Sequence, residues 1–307
     1  MNSNREVSIA LCTYNGARFL EEQLESVLGQ DYPFITEIVC LDDNSTDATW
    51  AILKSYSEKY PIFKIERNEQ NLGFTKNFEK AFELTTKPLV AVCDQDDVWV
   101  KDKISKLANA LGDNLMAYSD NEYIDEEGKS LNKKFSDYRR LTTITSCLNF
   151  TLFNGISGHT LLFDRKLLTY TLPFRMDVPY DFWLAFHAAQ YGIIPYVAEP
   201  LVKYRQHSNN VIGGMGHDGD RVIQSKKERI EETGKRIIIF AQYVAPHLKR
   251  ERWVLRELGK SYDDRSVVMR LKRFWIFLIY GDDIQLLKRK SKFMKKLYCF
   301  KAVWKYL

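Results

Sequence analysis

The sequence predicts an α/β fold with a mostly parallel central sheet flanked by helices, and a helical, basic extension at its C-terminal end. Three observations carry this. Short apolar runs alternate with stretches whose apolar residues recur at helical spacing. Turn-forming residues mark each change of period. From about Asp220 the pattern becomes helical, basic and aromatic. The 307 residues allow one large or two small domains. The change of pattern divides them into 1–215 and 216–307.

Val7-Ser8-Ile9-Ala10-Leu11-Cys12 is the first strand, and Thr13-Tyr14-Asn15-Gly16 the turn after it. Leu20, Leu24, Val27 and Leu28 fall on one face of a helix that Asp31-Tyr32-Pro33 breaks. Ile38–Leu41, the second strand, runs into Asp42-Asp43-Asn44-Ser45-Thr46-Asp47. Ser45 or Thr46 suits a helix N-cap, and Trp50, Leu53 and Tyr56 give that helix its apolar face. Asp47 fits an acidic helix start. Asp42 or Asp43 is placed to accept hydrogen bonds from a base or ribose, Asp43 being preferred; the plainer reading is again an acidic helix start. Ile62–Arg67 is a third strand, 68–73 a loop, and Thr75–Leu84 a helix stopped by Lys87-Pro88. Leu89–Cys93 is the fourth strand; Ile104, Leu107 and Leu111 mark a helix, and Leu115–Ser119 another strand.

Residues 120–150 are polar and aperiodic and read as a mobile loop. Asn154-Gly155-Ile156-Ser157-Gly158-His159 is a second glycine-marked turn, before a strand Thr160–Phe163. Pro179-Tyr180-Asp181-Phe182-Trp183 opens a helix, with Asp181 at its N-cap or in its first turn. Ile193–Val197 and Leu201–Tyr204 are strands. Arg205-Gln206-His207 follows, then the flexible Gly213-Gly214-Met215-Gly216. Beyond it, Ile237–Val244, Arg270–Tyr280 and Leu286–Tyr306 carry apolar faces.

Hydrophobic content of 45% and charged content of 28% are those of a globular protein. The start of the chain has no apolar signal-peptide core. No apolar run nears the roughly 18 residues of a membrane span. The expected location is therefore the cytoplasm. Five cysteines show no CxxC pairing, and Cys12, Cys40 and Cys93 lie in strand-like runs as small buried hydrophobes. Charge is uneven: residues 249–307 hold 17 Lys/Arg against 6 Asp/Glu, within a net of +5 for the whole chain. No GxGxxG follows the first strand and there is no GxxxxGK[ST], so neither a dinucleotide fingerprint nor a P-loop is indicated.

The chemistry concentrates at Asp94-Gln95-Asp96-Asp97. Three carboxylates within four residues, at the C-terminal end of a buried strand, repel one another. A hard cation, Mg²⁺ or Mn²⁺, relieves that repulsion through oxygen ligands. Strand C-termini are where open α/β sheets bind ligands. The plainer reading is an acidic turn that ends a strand.

Together, Thr13-Tyr14-Asn15-Gly16, Asp42–Asp47, Asn71-Leu72-Gly73, Asp94-Gln95-Asp96-Asp97-Val98-Trp99 and Tyr180-Asp181-Phe182-Trp183 resemble the ordered motifs of family 2 GT-A glycosyltransferases. The Asp-Gln-Asp-Asp-Val-Trp form, with Tyr204-Arg205-Gln206-His207, looks most like the bacterial rhamnosyltransferase branch. The resemblance covers roughly residues 5–212 and implies a GT-A type fold. It implies that Tyr14, Asp43 and Asp94 hold the nucleotide. It further implies that Asp94 and Asp96 hold the metal, that Asp181 is the general base, and that Arg205 or His207 lies near the diphosphate. Two departures stand out: Cys12 where many relatives have a hydroxyl, and Tyr180-Asp181-Phe182 where the branch often has His-Asp-Trp.

The expected reaction is a single displacement with inversion, moving L-rhamnose from dTDP-rhamnose to a hydroxyl of a glycan or lipid-linked glycan for cell-surface polysaccharide. A UDP-sugar donor, or a non-catalytic sugar-nucleotide-binding assembly subunit, are the alternatives. A helix N-terminus at Asp181 would favour its ionised form. The basic C-terminal region reads either as a solvated helical face or as a segment lying on an anionic membrane at the inner face of the plasma membrane. In the second case Phe274, Trp275, Phe277, Trp304 and Tyr306 would sit at the interface. Nucleic acid is not expected, since no recognised motif accompanies the charge.

Overall fold

The computed structural model describes residues 5–208, 226–264 and 266–288, with 291, 294 and 297 beyond. The elements begin β1 Val7–Thr13, α1 Ala17–Leu28, β2 Ile35–Asp42, α2 Thr49–Lys59, β3 Phe63–Arg67, α3 Phe74–Leu84 and β4 Leu89–Cys93. β1 pairs in parallel with β2 and β4, and β2 with β3. All seven residues of β1 are buried. Ile9 and Leu11 face one core, with Leu20 and Leu24 of α1; Ala10 and Cys12 face the other, with Phe78 and Phe82 of α3. Burial on both faces is why this strand reads as an unbroken apolar run. Cys12, Cys40, Cys93 and Cys147 are buried free thiols.

Next come β5 Val98–Trp99, α4 Lys103–Leu111, β6 Met116–Ile124, β7 Ser130–Lys134, α5 Phe135–Tyr138, β8 Leu161–Asp164, α6 Leu168–Thr171, α7 Tyr180–Ala188 and β9 Tyr196–Arg205. The sheet runs β3-β2-β1-β4-β8-β6-β9-β5, with β7 on β6. The parallel half is as the sequence predicts. Beyond β4 the sheet is mixed: β8 is antiparallel to both β4 and β6, while β6 and β9 run parallel. The two strands expected at 193–204 are one, with register shifts opposite Asp120.

The loop expected over 120–150 is largely ordered structure. Its first residues extend β6, and β7 returns antiparallel along them. Asp120 and Asn121 are buried there, and the Asp120 carboxylate accepts from the backbone N–H of Ser136 at 3.1 Å. Polar side chains held by such bonds erase the apolar alternation on which strand recognition depends.

After the Gly213–Gly216 segment, which with the 215/216 boundary lies outside the described residues, come α8 Lys226–Tyr243, α9 Lys249–Asp263 and α10 Val267–Ile284. Their apolar faces join the core of Ala10, Cys12, Phe78 and Phe82: Ile237, Phe240, Leu255, Leu258 and Phe277 belong to the same buried cluster as Trp183 and Phe186. Phe186 and Phe240 stack at 4.0 Å between centroids. Of the aromatics expected at a membrane interface, Phe277 is buried and Phe274 packs against the core. Trp275 is exposed, and Trp304 and Tyr306 lie outside the described residues. Among the described residues no helix is long and apolar enough to cross a membrane.

Candidate active site

The C-terminal ends of β1, β2 and β4 meet at one edge, where three turns lock together. After β1, Asn15 takes a positive φ of 48° and its side-chain oxygen accepts from the backbone N–H of Thr46 at 2.8 Å. Asn tolerates this left-handed backbone because its short amide bonds locally. Gln95 clips the same turn to the acidic one: its Oε1 accepts from Tyr14 N at 2.8 Å and its Nε2 donates to Tyr14 O at 3.0 Å. A Cβ on Gly16 would lie 2.2 Å from Gln95 Oε1, so the clip requires glycine there. The Tyr14 side chain is exposed.

After β2, the Asp42 carboxylate is spent on Thr13, Ser45 and Arg67. Asp47 accepts from the N–H groups of Thr49 and Ala17, the helix-start role expected of it. Asp43 is buried. Its Oδ1 accepts from Asn68 Nδ2 and Leu72 N, both at 2.8 Å, and its Oδ2 from Gly73 N at 2.9 Å. Gly73, with φ of 79°, is the N-cap residue before α3. Asp43 thus moulds the Asn71-Leu72-Gly73 loop.

The acidic turn departs from the expected pairing. Asp94 and Asp97, with His159, form the group of the described residues whose ligand atoms lie within 4.8 Å of one another. His159 Nδ1 lies 3.4 Å from Asp94 Oδ2 and 3.6 Å from Asp97 Oδ2. Asp96 turns the other way, with His207 Nε2 2.9 Å from its Oδ2. Asp97 is fully buried. Its Oδ1 accepts from Arg205 N at 3.1 Å, and its Oδ2 has no hydrogen-bond partner. Burial and the like charges of Asp96 and Asp94 push the Asp97 carboxyl upward, against His159. Burial opposes the charge on His159, but Asp97 and Asp94 outweigh it and raise its pKa. Beneath them Lys103 is buried, its Nζ 3.3 Å from the centre of the Trp99 ring and donating to His159 O at 2.7 Å. Burial lowers Lys103 to about 7.

An unpartnered buried carboxylate oxygen beside a second carboxylate and an imidazole nitrogen is a donor set that suits a divalent cation. Asn121 Nδ2 lies 3.1 Å from His159 Nε2, while Asn121 Oδ1 is buried without a partner. With Oδ1 facing an Nε2–H instead, that oxygen is satisfied and Nδ1 offers its lone pair to the cluster.

Arg205, expected at a diphosphate, is 1% exposed and acts as a strut. Its guanidinium donates to Asp96 O at 2.9 Å, Glu126 O at 2.8 Å and Glu22 Oε2 at 2.5 Å, and it lies over Phe19. It shapes the acidic turn through the backbone. His207, tilted against the Phe19 ring at 5.0 Å, is held on the Asp96 side.

Asp181 lies in the first turn of α7. Its Oδ1 accepts from Phe182 N at 2.7 Å and its Oδ2 from Asn154 Nδ2 at 3.0 Å. Burial, helped by the charge on Asp94, pushes it up to about 7. This corrects the expectation that the helix terminus would favour its ionised form: desolvation outweighs the N–H it accepts. The segment 154–159 joins Asp181 to the acidic turn. Asn154 holds Asp181 and His159 meets Asp94. Between them Gly158 lies so close to Tyr180 that a Cβ would sit 2.1 Å from the phenol oxygen.

A family model described as Glycosyl transferase family 2 matches residues 8–171, more than half of the chain. The chain belongs to glycosyl transferase family 2. It is 29% identical over 267 residues to the dTDP-rhamnosyl transferase RfbG of Shigella flexneri, covering 82% of this chain and 89% of that protein. Its fold is similar to that of S. aureus TarS 1-349, solved in complex with UDP-GlcNAc, at a TM-score of 0.60 and 18% identity over 97% of this chain and 81% of that one. It is also similar to the mannosyltransferase PcManGT from Pyrobaculum calidifontis, solved with GDP-Man and Mn²⁺, at a TM-score of 0.52 and 17% identity over 99% of this chain and 88% of that one. The fold is therefore of the GT-A type, and this family 2 chain is a glycosyltransferase that uses a nucleotide sugar.

Most of the residues singled out in the sequence thus gather at this edge: Tyr14, Asp43, Asp94, Asp96, His207 and Asp181. Sequence reasoning gave no role to Gln95, Asn154 or His159, and it counted Asp97 among the three carboxylates but not in the metal pair. Asp97 stood in plain view as the third carboxylate. His159 carried only the signal of a glycine-marked turn.

Proposed function

We propose that this chain is a metal-dependent, inverting glycosyltransferase. It moves a sugar, with L-rhamnose from dTDP-rhamnose the first candidate, to a hydroxyl of a glycan or lipid-linked glycan. The observation that carries the mechanism is the 154–159 segment, which ties Asp181 through Asn154 to the same loop whose His159 meets Asp94 and Asp97. A base and an acidic cluster built on one loop suit an acceptor hydroxyl approaching a diphosphate-bound sugar.

Asp94, Asp97 and His159 would hold Mg²⁺ or Mn²⁺, with Asp96 and His207 beside them. A cation held there supplies Lewis-acid stabilisation of charge on the departing diphosphate. Asp181 takes the proton of the attacking hydroxyl, and Asn154 fixes the carboxylate that receives it. A pKa raised to about 7 matches a base to a neutral working pH. One base, with no partner nucleophile assigned among the described residues, means attack on the face opposite the leaving group, hence inversion. Tyr14 and Asp43 border the nucleotide pocket, Tyr14 by its exposed ring and Asp43 by shaping the loop at 71–73.

The rhamnosyl assignment rests on the similarity to RfbG and on the Asp-Gln-Asp-Asp-Val-Trp motif. Residues 1–215 would form the catalytic unit, and the basic residues 216–307 would bring it to the inner face of a membrane where a lipid-linked acceptor sits. Asp181→Asn tests the reading. Donor binding should persist and transfer should fall by about 10²–10⁴-fold. Transfer at the normal rate would place the base elsewhere.

A further inference from the structure

Helix α10 is apolar on two sides. Its inner side, with Ile276, Phe277 and Ile284, is buried in the core. Its outer side should then be polar, as in an ordinary surface helix. Instead, every exposed residue between 267 and 281 is a large apolar one: Val267, Val268, Leu271, Trp275, Leu278 and Ile279, each 44–73% exposed. At about 100° per residue these six fall within an arc of about 120°, and at 1.5 Å per residue they run about 18 Å along the helix.

We propose that this face of α10 is the surface by which the protein lies on an anionic lipid bilayer, with the helix in the plane of the headgroups. The proposal deepens the reading that the enzyme works at a membrane, by naming the face that enters it. Charge decides between a bilayer and a second copy of the chain. The twenty residues 288–307 that continue from this helix hold eight Lys/Arg, no Asp/Glu, and five aromatic residues. Self-association through α10 would bring two such segments together, like charge against like. An anionic bilayer offers the opposite charge directly beside an apolar phase. A helix with one face in the protein core and the other in the acyl boundary also accounts for the apolar outer side over 267–279, which ends at the exposed Asp282.

The test uses the full chain and vesicles of phosphatidylcholine alone or with about one-third phosphatidylglycerol. Co-sedimentation is measured at low and high salt, beside the triple variant Leu271→Gln, Trp275→Gln, Ile279→Gln. All three side chains are exposed, so the variant should keep its Tm. The expected result is binding to the phosphatidylglycerol vesicles, weakened by salt, with at least a tenfold loss of apparent affinity in the variant. Three results would overturn the proposal. The wild type fails to bind either vesicle; the variant binds as well as the wild type; or ultracentrifugation shows a dimer that the variant abolishes, with no lipid binding. Calorimetric titration of nucleotide sugars on both proteins separates this question from the enzymatic one, because donor binding does not involve α10.

Discussion

Replacing Asp181 by Asn should make the enzyme slower and the protein more stable, and the gain should depend on pH. The carboxyl moves from an ordinary value of 3.8 to about 7. The folded chain therefore holds a proton there that the unfolded chain has released. Between those two values the wild type loses stability as pH rises, and above about 7 the loss is complete. Three units at about 1.4 kcal/mol each set a ceiling of about 4 kcal/mol. Two effects reduce it. Asp181 keeps some solvent exposure, and an Asn amide has one acceptor where the carboxylate accepts from both Phe182 N and Asn154 Nδ2. Losing one such bond costs about 1 kcal/mol. A net gain of about 1–2 kcal/mol remains at pH 8. For a chain of 307 residues this is about 2–3 °C in Tm. Thermal unfolding of both proteins in metal-free buffer, from pH 4.5 to 8.5, reads it directly. The difference should be absent or reversed at the acid end and grow with pH. A difference that stays flat across the range, or a variant less stable at pH 8, would refute the buried-base argument. The same titration gives the wild-type transfer rate a rising limb with pH, which the variant should lack.

Asp97→Asn and His159→Ala should each weaken Mn²⁺ binding at least tenfold, in the range seen for lost metal-site partners, measured by calorimetry. If both are silent while Asp96→Ala abolishes binding, the cation sits on the Asp96 side with His207. Gly158→Ala should cost about 1–3 kcal/mol in thermal or denaturant unfolding. The new methyl meets the phenol of Tyr180, whose ring is held by Phe78 at 4.5 Å and Phe82 at 5.9 Å; an unchanged Tm would mean the loop yields freely. Asp43→Ala should cost about 2–4 kcal/mol, because Leu72 N, Gly73 N and Asn68 lose their acceptor in a buried place. Nucleotide affinity should fall with it; a variant that binds the donor normally would separate Asp43 from the pocket.

The parallel half of the fold was legible because β1, β2 and β4 are buried on both faces and its helices on one. Val7–Thr13 and Leu89–Cys93 read as unbroken apolar runs, and Leu20, Leu24 and Val27 mark a single stripe. The antiparallel half was harder, because β6 carries Asp120 and Asn121 inward against other polar groups. A buried polar strand looks like a loop when only hydrophobicity is read. At the site, the family resemblance implied Asp94 and Asp96 as the metal pair. The chain turns after Cys93, however, and Arg205 N draws Asp97 inward. Nor could sequence spacing find His159, which reaches Asp94 from 65 residues away through β8's neighbouring loop. Nor could sequence show that the Arg205 guanidinium donates to the Asp96 and Glu126 carbonyls and pairs with Glu22 behind the acidic turn.

The central claim is that this acidic edge binds a nucleotide sugar through a divalent cation. Calorimetric titration of the full chain with dTDP-rhamnose, UDP-GlcNAc and GDP-mannose, each with Mn²⁺ and with chelator, tests it most directly. The account predicts binding of dTDP-rhamnose ahead of the others, and only in the presence of the cation. Preference for a UDP-sugar would retain the mechanism and discard the rhamnosyl donor. A folded protein that binds none of the three, or binds them equally well in chelator, would contradict the account.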